Sequence, residues 1–184
     1  YKTKLMNLRE LPQALKSALE LIHKDAHPMD VMRTGCSFLG NLETETDFSQ
    51  QQDVADRLLA TLPAIILYWY RFSHDGVRID TLNPSVDSLA GHFLAMLHSD
   101  TPNPLHEKVM NASLILYAEH EFNASTFTAR VCASTLSDMH SCITGGIGSL
   151  RGPLHGGANE AAMDMIEPWQ TPDEAENAIM EMLA

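Results

Sequence analysis

Val54-Ala55-Asp56-Arg57-Leu58-Leu59-Ala60-Thr61-Leu62-Pro63-Ala64-Ile65-Ile66-Leu67-Tyr68-Trp69-Tyr70-Arg71-Phe72 is the stretch that decides the fold class. Val54, Leu58, Leu62, Ile65, Ile66, Trp69 and Phe72 recur at steps of three and four, which is helical spacing and not strand alternation. Apolar residues occupy much of the circumference, so the helix is expected to be covered on several sides. Pro63 inside it predicts a kink or a break. His74-Asp75-Gly76 ends it. Its most apolar run, Leu62 to Tyr70, is far too short to span a bilayer, which takes about 20 residues.

The same spacing extends outward in both directions. Upstream, Leu8, Leu11, Leu15, Leu19 and Ile22 form one amphipathic stripe. His27-Pro28 interrupts it, and Pro28 suits the first turn of a second helix running to about Gly40. Asn41 to Gln50 is polar and reads as a surface loop. Downstream, Ser85 is a candidate cap for a helix that buries Val86, Leu89, Ala90, Phe93 and Leu97. Pro102-Asn103-Pro104 makes a turn, with a helix from about Leu105 to Ala118. Segments at about Thr126 to Leu136 and Met139 to Leu150 follow, and Gly145, Gly146 and Gly148 suit close helix contact. Thr171-Pro172-Asp173-Glu174 has the form of a helix start: an N-cap, proline at the first position and glutamate three residues on. With no alternating strand and no internal repeat, the fold class is all-α.

The chain has 184 residues, 45% hydrophobic, and its formal charge is 12 − 24 = −12. That size supports one core. The charge argues against a nucleic-acid binder, which needs a basic face to neutralise phosphates. It also argues against an anionic membrane surface. Cys36, Cys132 and Cys142 are an odd set without CxxC spacing, read as free thiols of a cytoplasmic protein and not as a disulfide or zinc framework. Tyr1-Lys2-Thr3-Lys4 has no apolar segment of a signal peptide and no initiator Met, so the chain reads as a piece of a longer one.

Among nine histidines, two stand in polar company that points to chemistry. Glu119-His120-Glu121 interrupts the apolar run Leu114 to Ala118 and precedes Asn123-Ala124-Ser125-Thr126. Flanking carboxylates favour a charged imidazole able to hold an anionic or carbonyl substrate. A polar junction between two helices, with Ser125 or Thr126 as N-cap, accounts for the same residues. His155 lies in Gly152-Pro153-Leu154-His155-Gly156-Gly157-Ala158-Asn159-Glu160, where the glycines let backbone approach a ligand. A helix beginning near Ala158 would set its N-terminal dipole beside that ring, and a neutral histidine donating one hydrogen bond is what stabilises a developing enol. A glycine-rich hinge with an incidental histidine is the alternative. HExxH zinc spacing and a phosphate loop are both absent.

Glu119 to Phe127 and Gly152 to Glu160 resemble the two signature segments of the citrate synthase family, and His27-Pro28-Met29-Asp30-Val31-Met32-Arg33-Thr34-Gly35 resembles a third. The wording, with Leu67-Tyr68-Trp69-Tyr70, is closest to the 2-methylcitrate branch. The resemblance implies an all-helical fold with a large domain over residues 1–155, the start of a smaller mobile domain at 156–184, and a homodimer. It makes His155 the catalytic histidine that hydrogen-bonds the thioester carbonyl as its enol forms, and His120 a contact to oxaloacetate. The implied partners are oxaloacetate and propionyl-CoA, or acetyl-CoA in the citrate branch; no metal or other cofactor is implied.

By the same resemblance, a second histidine, a catalytic aspartate and most substrate arginines belong beyond Ala184. This piece is therefore expected not to turn over alone. Arg130 and Arg151 are candidates within it for focusing a positive field on anions, and Arg130 reads equally as a solvated helix residue. A non-catalytic helical dimerisation fragment is the competing reading of another class.

Overall fold

The computed structural model describes residues 1–83, 85–119 and 121–183, and the described residues form ten α-helices, one 3₁₀ turn and no strand. The helices are α1 (Lys2–Asn7), α2 (Gln13–Leu19), α3 (Pro28–Leu42), α4 (Gln51–Asp75), α5 (Leu89–His98), α6 (Pro104–Leu116), α7 (Ala124–Ser134), α8 (Met139–Leu150), α9 (Gly157–Ile166) and α10 (Pro172–Met182). The 3₁₀ turn, Phe48–Gln50, leads into α4.

Helix α4 is the hub and packs against α1, α2, α3, α5 and α8. Ile65, Tyr68 and Trp69 are buried against Leu15, Leu19, Val31, Leu39 and Met96. Pro63 leaves α4 as one element, with neither the break nor a change of helix type. A proline removes the donor to the carbonyl four residues back. That residue is Leu59, which is exposed, so water can take the freed oxygen. The left-handed Gly76 (φ 70) closes the helix as expected, its N–H bonding Phe72 O at 3.0 Å.

Three local expectations change. Of the upstream stripe only Leu15 and Leu19 lie in a helix, α2; Leu8 and Leu11 precede it, because Leu11-Pro12 disfavours helical backbone there, and Ile22 follows it. Leu11, Leu15 and Leu19 are all buried, so the spacing identified burial correctly but not continuity. Helix α5 is capped by Ser88, whose Oγ accepts from Gly91 N at 2.8 Å, while Ser85 bonds to Asn83. Helix α7 is capped by Asn123, whose side chain accepts from Thr126 N, so the helix starts before Ser125 and Thr126.

Helices α7 and α8 form an antiparallel hairpin, and α3 crosses the other side of α8. Gly146 carries the close approach: a Cβ there would sit 3.4 Å from the Ser125 carbonyl oxygen. Helices α6, α7, α9 and α10 contain no fully buried residue, and large apolar side chains line their outer faces.

Candidate active site

The turn that carries His155 is built by the end of α8. The Gly152 carbonyl accepts from His155 N at 3.0 Å and from Gly157 N at 3.1 Å, folding residues 152–157 into a compact loop. Gly156 lies directly against the last turn of α8. A Cβ on it would approach the Leu150 carbonyl oxygen closer than real Cβ atoms ever come, and would meet Leu150 Cδ1 at 2.9 Å. Glycine is therefore required by contact and not by backbone angle. Leu154 is fully exposed at the tip, whereas His155 is half-buried and points back to the start of α7.

The His155 ring is held there by Ser125. Its Nε2 lies 2.9 Å from Ser125 Oγ, and the Ser125 backbone N–H faces the same nitrogen at a longer 3.4 Å. The Ser125 hydroxyl proton goes to Asn123 Oδ1, so Ser125 Oγ meets His155 Nε2 with its lone pairs and accepts when that nitrogen is protonated. Ser125 is fixed in turn by Asn123, whose Oδ1 lies 2.7 Å from Ser125 Oγ and also accepts from Thr126 N at 2.7 Å as the α7 cap. The chain of contacts runs from helix cap to serine to histidine.

The third sequence segment packs beside this loop. His27 caps α3 by accepting from Met29 N at Nδ1, which leaves Nε2 to donate to Glu160 Oε2 at 3.2 Å. Asp30 reaches Arg33 at 3.1 Å and Arg151 Nε at 3.7 Å. The Arg151 Nε is buried, with no hydrogen-bond partner among the described residues. Two guanidinium groups and two carboxylates, Asp30 and Glu160, thus stand next to the His155 turn, so opposite charges balance there on a chain of net charge −12.

Of the residues expected to act, His155 and Arg151 come together with the Asp30 to Gly35 segment. His120 lies outside the described residues. Its neighbour Phe122 is exposed and takes a left-handed backbone (φ 52) in the turn between α6 and α7, a conformation that costs free energy in a bulky residue. Arg130 is exposed and opens on a groove with Phe48, Leu136 and Cys142 instead of on the His155 loop. Ser125 and Asn123 as supports for His155, and the His27–Glu160 link, were missed in the sequence. All four sit inside the three quoted segments, which was the only available signal.

Residues 1–184 match the profile of the family described as "Citrate synthase, C-terminal domain". The chain is 69% identical over 180 residues to the 2-methylcitrate synthase of Shewanella oneidensis, covering 98% of this chain and 48% of that protein. It is 42% identical over 165 residues to the citrate synthase of Heyndrickxia coagulans, covering 88% of this chain and 44% of that protein. A solved citrate synthase from Thermoplasma acidophilum, a ternary complex with carboxymethyl coenzyme A and oxaloacetate, superposes with a TM-score of 0.85 at 30% identity, covering 96% of this chain and 46% of that one. The chain spans about half the length of the curated relatives it matches.

Proposed function

This chain belongs to the citrate synthase family, and from that premise we propose that it is part of a 2-methylcitrate synthase. The full-length enzyme condenses propionyl-CoA with oxaloacetate and water, giving 2-methylcitrate and free CoA, in the breakdown of propionate. The observation that carries this reading is the His155 turn, which holds the half-buried ring against the start of α7 with Nε2 at 2.9 Å from Ser125 Oγ.

In the proposed reaction, a ring proton of His155 is shared with the thioester carbonyl while a carboxylate from another part of the enzyme removes the α-proton. Hydrogen bonding to the oxygen stabilises the enol as negative charge develops there. The enol carbon attacks the ketone of oxaloacetate, and water then cleaves the thioester. His120 contributes to holding oxaloacetate, and Arg151 adds positive field near the anionic reactants. The steps are proton transfers and carbon–carbon bond formation that side chains can supply, so the proposal includes no resident metal or cofactor.

The proposal also places residues 1–155 in a large domain and 156–184 at the start of a smaller one, in a cytoplasmic homodimer. The outer faces of α6 and α7 support the dimer: Val109, Ile115, Leu116, Phe127 and Val131 are each at least half exposed. Among the described residues no helix is long and apolar enough to cross a membrane. Citrate synthase activity with acetyl-CoA is the second reading, supported by the 42% identity to the Heyndrickxia coagulans enzyme. One methylene separates the two acyl groups, worth about 10- to 200-fold in kcat/KM. The test is CoA release by the full-length enzyme with each thioester and oxaloacetate. Higher kcat/KM for propionyl-CoA supports the proposal, and higher kcat/KM for acetyl-CoA replaces it with the second reading.

A further inference from the structure

The turn end of the α7–α8 hairpin, opposite the end that carries Ser125 and His155, brings two cysteines together. The register of the hairpin follows from its glycine contacts. Gly146 faces the Ser125 carbonyl and Ala129 Cβ, and Gly145 faces Thr128 Cγ2. One turn further along, counting up α7 and down α8, Cys132 comes opposite Cys142. The side chains agree with that register, since the Cys132 thiol is an electrostatic neighbour of the Cys142 thiol, which itself donates to the Ser137 carbonyl at 3.8 Å. Glycine at the crossing holds the two backbones close. A disulfide needs Cα atoms about 4.4 to 6.8 Å apart.

We propose that Cys132 and Cys142 are a redox pair that closes into an intramolecular disulfide when the protein meets a small-molecule disulfide oxidant. Cys36 is outside the pair: it is fully buried under α8, with its Sγ 3.7 Å from the His140 carbonyl. Cys132 lies on the α8 side of its helix, away from Phe127 and Val131, so an interface on the outer face of α7 would leave it facing its partner thiol. Cys142 borders a groove of about 550 Å³ next to Phe48, Ala133 and Met139, and Cys132 is itself half-buried, so an oxidant can reach the pair.

The reaction is a double exchange. Cys132, the more exposed of the two, attacks the oxidant as thiolate, forming a mixed disulfide and releasing one small thiol. The Cys142 thiolate then attacks Cys132 Sγ, the mixed disulfide breaks, and the second small thiol leaves. Two protein thiols lose two protons and two electrons, and one small disulfide becomes two thiols. Burial and the neighbouring Cys132 push the Cys142 thiol up to about 11.

The test is peptide mapping of the full-length protein after incubation with oxidised glutathione. Unfolding, iodoacetamide alkylation and trypsin follow. Arg130 and Arg151 bound one tryptic peptide, Val131 to Arg151, that contains both cysteines. The expected peptide is two hydrogen masses lighter than the reduced form and carries no alkyl group, while Cys36 is fully alkylated. In Cys142→Ser the same peptide should instead carry one glutathione on Cys132, because the resolving thiol is gone. Recovery of Val131–Arg151 with two alkyl groups, or with glutathione on both cysteines of the unsubstituted protein, would overturn the proposal.

Discussion

Gly156→Ala in the full-length enzyme separates a structured catalytic turn from a flexible hinge. The new Cβ would overlap the Leu150 carbonyl oxygen and crowd Leu150 Cδ1 at 2.9 Å and Cγ at 3.0 Å. The side chain of Leu150 can rotate, but its carbonyl is fixed as part of the last turn of α8. The loop must therefore open, at a cost of about 1–3 kcal/mol for overpacking. His155 precedes the substituted residue and moves with it, and the 2.9 Å contact with Ser125 Oγ is lost with a shift of under 1 Å. A misplacement of that size can cost about 100-fold in rate. The assay is kcat for CoA release together with the melting temperature, with Gly145→Ala as control. At Gly145 the nearest atom to a new Cβ is Thr128 Cγ2 at 3.6 Å, an ordinary contact, and alanine in a helix interior stabilises by up to about 1 kcal/mol. Expected are a loss of kcat of about 10- to 100-fold for Gly156→Ala and an unchanged kcat for Gly145→Ala. Wild-type kcat in Gly156→Ala would refute the argument that contact with α8 positions His155.

Ser125→Ala should lower kcat by about tenfold with little change in thermal stability, because it removes one neutral hydrogen bond from the His155 ring; an unchanged kcat at saturating substrates would show that the serine does not position the ring. His92 should make the fold sensitive to acid. It is fully buried, its Nε2 donates to Thr81 O at 3.0 Å, and burial pushes it down to about 4. The unfolded chain takes up that proton near pH 6.5 and the folded chain only near 4, so stability falls as pH drops between those values, by up to about 3 kcal/mol. Urea midpoints for the unsubstituted protein and His92→Gln between pH 7 and 4.5 would expose this term, and parallel curves would exclude it. Thr171→Ala removes the cap of α10, where Thr171 Oγ1 accepts from Glu174 N at 3.3 Å, and should weaken that helix by about 1 kcal/mol. Hydrogen exchange in the first turn of α10 should then quicken about fivefold, and no change there would mean that the helix end is held by other contacts.

Most of the helices were legible because their burial follows their sequence periodicity. Val54 to Phe72 shows this most clearly, since a helix covered on several sides needs apolar residues at nearly every step. Boundaries were legible where a single residue dominates the backbone: Pro28, Gly76 and Thr171-Pro172 all mark ends that the structure keeps. The break offered as one outcome at Pro63 does not occur, because the cost of a proline depends on whether the freed carbonyl is exposed, and that depends on tertiary packing. The upstream stripe misled for a related reason: Leu11 is buried from the segment before α2, so periodic burial continues past the end of the helix.

His155 could be singled out by its glycine neighbours and by family resemblance. The Ser125 contact spans thirty residues and depends on the α7–α8 hairpin closing at Gly146. No local pattern encodes that distance. The redox pair was equally hidden, because Cys132 and Cys142 have no spacing motif and meet only through the hairpin register.

The most direct test of the central claim is the rate with propionyl-CoA and oxaloacetate for the full-length enzyme, unsubstituted and as His155→Ala. Loss of a hydrogen bond that forms fully only in the transition state lowers kcat by about 10²- to 10³-fold. With the folded structure retained, the affinity for oxaloacetate should change little. A His155→Ala enzyme that folds and keeps the unsubstituted kcat would contradict the assignment of this residue as the catalytic histidine.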